Sequence, residues 1–249
     1  MSDIPEEFTA SFYDEEYFAG SKGGKRFRRP NGSTARWSYF NPVGWWDGAV
    51  PIARAWKTMF NPRNMLDVGC GRGVFTLAAR NEGIEAYGFD FSEYAINNLC
   101  PSCRREWFRV WDATKIPWPY KDKQFDLCVA LDFFEHLYSE DIPMVIDEMY
   151  RVAKKWVFLQ IAVAGSGGLQ GKDNKGYILK REEPVPIGLE GCAVAGHVTV
   201  QPSSFWFDRL DHPDWVPRRD LVHYFYSLVP DEVTVNWRQN LVVIMERLE

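Results

Sequence analysis

No stretch of the 249-residue chain is apolar over the length that a membrane-spanning helix needs, and its start has neither the basic end nor the apolar run of a secretory signal. The cytoplasm is the expected setting, with no membrane partner. Cysteine is scarce: Cys70, Cys100, Cys103, Cys128 and Cys192 form an odd set at no framework spacing. That excludes a disulfide scaffold and suits a reducing compartment. Cys100-Pro-Ser-Cys103 lacks the second ligand pair that structural zinc requires, and Asp208, Asp211 and Asp214 have no supporting ligands, so no metal site is expected. Basic charge is not in excess. With 29 Lys and Arg against 34 Asp and Glu, the net charge is -5, which argues against a nucleic-acid partner but leaves a local basic face open. Repeats, heptads and low-complexity tracts are absent. Aromatic residues are abundant instead, at 16% with 11 Trp, several of them in polar, loop-like surroundings where aromatics line ligand grooves.

Met65 to Gly73, reading MLDVGCGRG, organises the rest. A short apolar strand runs into Gly69, Gly71 and Gly73, a spacing that turns the chain sharply and lets a ligand approach bare backbone. Val74 to Asn81 follows with a helical pattern, so its free N–H groups face the same spot. Strands are expected at Met65–Val68, Ala86–Phe89, Trp107–Trp111, Phe125–Leu131 and Trp156–Val163, with helices at Val74–Asn81, from Ser92 to Asn98, and at Asp141–Val152. FDLCVAL at Phe125–Leu131 is nearly all apolar, as a strand buried on both faces should be.

Upstream, a short helix at Phe12–Phe18, a glycine-rich basic loop at Gly20–Gly32 and a helix at Val50–Phe60 make a helical cap. Downstream, turn signals from Ala164 to Pro202 mark an unusually long insertion. Helices at Pro202–Leu210 and Arg218–Leu228 come next, then a closing hairpin of Glu232–Trp237 and Leu241–Arg247. One domain is expected: cap 1–61, cofactor core 62–163, substrate-side insertion 164–217, and helix with hairpin 218–249.

Acidic residues stand at successive strand ends. Asp67 precedes the glycines, Asp90 closes the second strand at a place suited to ribose hydroxyls, and Asp112-Ala113 follows the third. Leu131–His136, LDFFEH, follows the fourth. A nicotinamide dinucleotide enzyme would want GxGxxG, whereas Gly69, Gly71 and Gly73 give GxGxG; a P-loop is excluded because no GK[ST] follows.

Leu66–Gly73, Asp90 within GFDFSE, Asp112-Ala113 and FDLCVALDFFEHL together resemble the class I S-adenosylmethionine-dependent methyltransferases, most closely the broad group labelled type 11, over about residues 62 to 163. The resemblance implies an α/β fold: a Rossmann-like, seven-stranded mixed sheet flanked by helices, its last strand antiparallel. It also implies S-adenosylmethionine as cofactor. Asp67, Gly69, Cys70, Gly71 and Gly73 would then hold the methionine part, Asp90 with Phe91 the ribose, Asp112 and Ala113 the adenine, and Asp132 with Phe133 the wall beside the sulfonium.

Glu135 and His136 fall where the methyl group should lie, and His197 returns after the insertion, so these three are the candidate catalytic residues, with a histidine as base. Tyr17, Trp37, Tyr39, Trp45, Trp46 and Trp206 are candidate acceptor walls. The expected reaction is methyl transfer to a small-molecule or glycan acceptor, on a hydroxyl oxygen in preference to an amine. The competing readings are an RNA methyltransferase using the basic run from Lys22 to Arg29, and a non-catalytic protein that keeps the fold as a scaffold.

Overall fold

A computed structural model describes residues 8–18, 25–28, 34–37, 45–100, 106–165, 176–186, 189, 195–235 and 237–248. Its centre is a seven-stranded sheet. The chain enters at β3 (Asn64–Val68), steps outward through β4 (Glu85–Asp90) and β5 (Phe108–Val110), then crosses back to β6 (Phe125–Leu131) and β7 (Ala153–Ile161) on the other side of β3. These five strands are parallel. Beyond β7, β11 (Leu241–Arg247) pairs antiparallel, and β10 (Trp215–Pro217) pairs antiparallel with β11 at the edge.

Strand alternation divides the core into two layers. Leu66, Val68, Cys128, Ala130, Val157 and Leu159 face α4 (Ile142–Val152) and α5 (Ser203–Leu210), whose Val145, Met149, Val152, Trp206 and Leu210 complete that layer. Met65, Leu127, Val129 and Phe158 face α2 (Trp45–Phe60), α3 (Val74–Asn81) and α6 (Arg219–Leu228), packing on Ile52, Trp56, Ala78, Ala79 and Phe225. Burial on both faces is why these strands read as unbroken apolar runs. Each such side chain contributes about 1.5–3 kcal/mol, so the sheet is the rigid part on which everything else is mounted.

Three expectations are corrected. The closing hairpin does not form: Asp231–Thr234 is a short helix (α7) after Pro230, Trp237–Gln239 is a 3-10 turn, and β11 pairs instead with β7 and β10. Pro230 with Asp231 and Glu232 in the first turn are helix-start chemistry that outweighs the alternating pattern after them. In the basic segment, β1 (Lys25–Arg28) and β2 (Thr34–Trp37) pair antiparallel where a loop was expected. The strands are separated by residues 29–33, a length within the range of hairpin connections. Finally, α2 begins at Trp45, with Pro51 inside it. A proline suits a first helical turn, so from sequence the helix seemed to start there.

The insertion carries β8 (Tyr177–Ile178) paired with β9 (Thr199–Val200), then α5 and β10. The amino-terminal segment Phe8–Phe18, with α1 at Glu15–Phe18, packs Phe8, Phe12, Tyr13, Tyr17 and Phe18 onto Tyr177, Leu179, Val198 and Val200 of that insertion. No helix among the described residues is long and apolar enough to cross a membrane.

Candidate functional site

The strand order reverses between β3 and β6, and at such a switch point the carboxyl ends of the strands open a crevice. β3 delivers the glycine loop into it. Gly69, Gly71 and Gly73 all have positive φ, at 69°, 51° and 71°. A Cβ on Gly69 would lie 2.2 Å from the Phe133 ring, and one on Gly73 would lie 2.4 Å from Phe108. At these two positions glycine is needed for packing as well as for backbone shape. Gly71 has open space around it. Cys70 N–H donates to Phe89 O at 2.9 Å, tying the loop to β4, and Gly73 N–H donates to Cys70 O at 2.8 Å to close the turn.

Asp90, at the end of β4, holds the loop in place. Its Oδ2 accepts from Gly71 N–H at 2.9 Å and its Oδ1 from Ser92 N–H at 2.8 Å. Burial pushes the carboxyl pKa up, and the two N–H donors oppose that. Each oxygen has room for a second donor from the cleft. Beyond β5, Asp112 Oδ1 accepts from the Thr114 N–H and hydroxyl at 2.9 and 2.8 Å, and the Trp118 indole donates to Ala113 O at 2.9 Å.

The cleft encloses about 770 Å³. Gly69, Gly71, Asp90, Phe91, Asp112, Ala113, Asp132 and Phe133 line it. Asp67, Cys70 and Gly73 are not on its wall and support the loop from behind. Asp67 is buried, accepts the Thr76 hydroxyl at 2.8 Å, and has its pKa pushed up to about 7 by burial. Cys70 Sγ fills the space that Gly88 leaves by having no side chain.

At the end of β6 the backbone does something unusual. Asp132 has a φ of 46°, rare for a residue with a side chain and a mark of functional strain. Its N–H is shared between Gln160 O at 2.9 Å and Gln160 Oε1 at 3.0 Å. A 3-10 turn, Phe134–His136, then places Glu135 inward and His136 on the cleft wall. Glu135 is fully buried. Its Oε1 accepts from Ala162 N–H at 3.2 Å, whereas its Oε2 has no hydrogen-bond partner. Val198 N–H donates to Glu135 O at 2.8 Å, which brings His197 against the turn.

The two imidazoles meet edge to face, with centroids 4.8 Å apart. His136 Nδ1 lies 3.0 Å from Gly196 O and 3.2 Å from the Tyr13 hydroxyl. Donation of its N–H to Gly196 O leaves the lone pair on Nε2. Burial pushes the His136 pKa down to about 4 and that of His197 well below its usual value, with His136 as a second cause. Both rings are neutral at pH 7. Burial first, and Asp132 second, hold the Glu135 carboxyl well above the usual range; burial also raises Asp132.

Phe8–Phe18 covers the cleft mouth, and Phe8, Tyr13 and Tyr17 line it. The Ser92 hydroxyl donates to Tyr13 O at 2.5 Å, Phe8 N–H to the Tyr138 hydroxyl at 3.1 Å, and the Tyr17 hydroxyl to Ala195 O at 3.1 Å. Sequence reasoning missed Phe8, Tyr138, Asp141 and Arg181 as cleft residues. Arg181 bonds Glu140 at 2.5 Å, also bonds Asp141, and lies over the Tyr138 ring. These contacts span long sequence separations and leave no local signal. Of the expected acceptor residues, Tyr17 lines the cleft. Trp206 does not: it is fully buried in the core against Phe134, its indole donating to Gln201 O at 3.3 Å. Its place on the inward face of α5 makes it structural. Tyr39 and the side chains of Trp37, Trp45 and Trp46 lie outside the described residues, as do Lys22, Cys103 and Cys192.

Residues 66–159 match the protein family described as a methyltransferase domain. The chain has the class I S-adenosylmethionine-dependent methyltransferase fold, with a type 11-like domain at its centre. Norajmaline N-methyltransferase of Rauvolfia serpentina is 34% identical over 99 residues, covering 37% of this chain and 32% of that enzyme. The O-antigen chain terminator bifunctional methyltransferase/kinase WbdD of Escherichia coli is 26% identical over 117 residues, covering 43% of this chain and 16% of that protein. These matches thus span a third or less of each relative's length. Among solved structures, the plantazolicin methyltransferase BpumL in complex with SAH superposes with a TM-score of 0.53 at 14% identity, covering 82% of this chain and 84% of that one. S-adenosylmethionine is the cofactor of this fold, and the residues present fit it. Bare Gly69 and Gly71 backbone and a half-buried carboxylate with unused lone pairs converge on one cleft.

Proposed function

We propose that the protein transfers a methyl group from S-adenosylmethionine to a hydroxyl oxygen of a small-molecule or glycan acceptor. The observation that carries this reading is the polar cluster of Asp132, Glu135, His136 and His197, in which Asp132 and His136 line a cleft shared with Gly69, Gly71 and Asp90 and the buried Glu135 and His197 stand behind them. A hydroxyl is a weak nucleophile until its proton is managed, and this cluster is where the chain has placed groups able to do so. In the transfer, an oxygen lone pair forms the new C–O bond, the C–S electron pair returns to sulfur, and the hydroxyl proton leaves to a base.

The chain's own part is to hold both reactants in line, exclude water and receive that proton. Neutral His136 on the cleft wall is the expected base, and Phe8–Phe18 is the cover. Asp14, Asp90, Glu93, Asp112, Asp132 and Asp141 line the cleft against Lys115 and Arg181. Such a wall disfavours a polyanionic RNA acceptor and accommodates a neutral sugar or a hydroxylated ring. An amine acceptor is the second reading, favoured by the similarity to norajmaline N-methyltransferase. An acceptor panel of hydroxylated rings, sugars and amines, run with methyl-labelled cofactor, tests both readings. Label in hydroxyl acceptors supports the first, label confined to amines supports the second, and a purified protein that does not bind the cofactor refutes both.

A further inference from the structure

The arrangement around Glu135 resembles an unfinished coordination sphere. One potential ligand atom from each of Glu135, His136 and His197 lies within 4.8 Å of the others. Ligands on one first-row divalent ion, at bond lengths of about 2.0–2.2 Å, sit about 3–4 Å apart. Side-chain shifts of less than about 1 Å would therefore bring all three onto a single ion. The surroundings already have the features of a second shell. His136 Nδ1 is 3.0 Å from Gly196 O, the backbone-carbonyl partner that fixes a ligating imidazole's tautomer and orientation. Glu135 Oε1 is anchored by Ala162 N–H, while Oε2 is fully buried with no partner. Val198 N–H to Glu135 O clamps the segment carrying His197 against the turn carrying the other two residues.

Without an ion, this corner holds two adjacent carboxyl groups and two imidazoles but, among the described residues, no cationic side chain. The Lys and Arg that reach the cleft, Lys115 and Arg181, are elsewhere on its wall, with Arg181 bonded to Glu140 and Asp141. We propose that Glu135, His136 and His197 bind one divalent first-row metal ion, of the Mn2+, Co2+ or Zn2+ class, beside the stretch of cleft wall that His136 forms. Two imidazoles and one carboxylate are the donor set for such ions, whereas Mg2+ and Ca2+ favour all-oxygen sites. Three protein ligands leave coordination positions open. Of the three, His136 lines the cleft, as does the neighbouring Asp132.

The inference rests on the methyl-transfer reading for its purpose. An acceptor hydroxyl bound to the ion would lose its proton more readily, and the histidines would then act through the ion instead of taking the proton themselves.

The test separates the metal from the cofactor. Chain stripped with chelator and dialysed is titrated with Co2+, followed by its visible absorption, and with Mn2+ and Zn2+ by calorimetry. S-adenosylmethionine binding is measured on the same preparations. One ion per chain is expected, with affinity lowered about 100-fold or more in Glu135→Gln and in His197→Gln, while Asp90→Asn weakens the cofactor and leaves the ion bound. Glu135→Gln changes no volume, so it decides the matter if His197→Gln fails to fold by circular dichroism. Absence of stoichiometric binding of all three ions by folded wild-type chain overturns the site, as does binding that both variants leave unchanged. If the cofactor still binds in either case, the methyltransferase reading survives with His136 as base.

Discussion

Replacing Asp90 with Asn probes the cofactor pocket most directly. The change is isosteric, so its effects come from hydrogen bonding and charge and not from shape. In the wild type both carboxylate oxygens accept: Oδ2 from Gly71 N–H at 2.9 Å and Oδ1 from Ser92 N–H at 2.8 Å. Asn has one acceptor oxygen and one NH2 group, so in either orientation one backbone N–H faces another donor. The glycine loop or the Ser92 turn then loses its anchor, at a cost of about 1–3 kcal/mol for a buried donor left unpaired.

The cofactor loses more. A hydrogen bond to a charged acceptor contributes about 1.5–3 kcal/mol, and on the proposed reading Asp90 accepts two from ribose hydroxyls. Asn keeps one of these at neutral strength, so the loss is about 2–4 kcal/mol, a roughly 30- to 1,000-fold rise in Kd. Calorimetry with S-adenosylmethionine reads the affinity, and thermal unfolding without ligand reads the loop's share. A Kd within about threefold of wild type, under 1 kcal/mol, would mean that Asp90 does not meet the ribose, and the pocket assignment would fall with it.

Other substitutions separate space from strain and charge from shape. Gly69→Ala should lower the melting temperature and abolish cofactor binding, because its Cβ would lie 2.2 Å from Phe133, whereas Gly71→Ala, at φ 51° in open space, should cost only about 1–2 kcal/mol of left-handed strain; equal melting points for the two would refute the packing argument. Asp67→Asn should keep the Thr76 hydrogen bond and stabilise the chain at high pH. The Asp67 pKa is pushed up to about 7 from 3.8, so the folded state binds more protons between those values, and Asp67's contribution is full below pH 3.8 and lost as pH rises through 7. The gain over wild type should therefore open above pH 4 and level off above pH 7 at no more than about 4 kcal/mol, and a melting-temperature difference flat from pH 4 to 8 would count against it. Tyr13→Phe should reduce turnover more than cofactor affinity, since only the hydroxyl beside His136 and Gly196 is lost; unchanged turnover in a steady-state assay would remove Tyr13 from the site.

The parts legible in sequence were those fixed by neighbours in the chain. Val68 to Gly73 announced a strand, a tight turn and a helix start, because glycine spacing and apolar patterning act over a few residues. Asp90 and Asp112 could be found because strand ends recur in order along a β-α repeat. What escaped was set by distant partners. Trp206 reads like any aromatic in a polar stretch, and only the packing of α5 on Phe134 makes it core. β10 is three residues ending in Pro217, too short to show a period, and proline is at home there only because the strand lies at a sheet edge. Glu135, His136 and His197 were each visible as reactive residues. Their meeting depends on the Val198 to Glu135 hydrogen bond across 63 positions, which no local pattern encodes.

Several of the places where the chain breaks its own rules meet at one corner. Across both core layers, most buried residues are apolar and strands alternate as their patterns require. At the end of β6 this regularity stops. Asp132 adopts a backbone shape that suits glycine, Glu135 is buried with an oxygen unpartnered, Gln160 Nε2 beside them has no acceptor, and two imidazoles are pressed together. Each departure costs stability, since an unmade buried hydrogen bond alone is worth about 1–3 kcal/mol. A fold that needed only to be stable could fill this corner with apolar side chains, as it does everywhere else along β6 and β7. Such concentrated cost is expected where a site must act on something the folded chain alone does not contain. On the proposed reading, the glycine loop holds the cofactor and this corner is where the acceptor meets it.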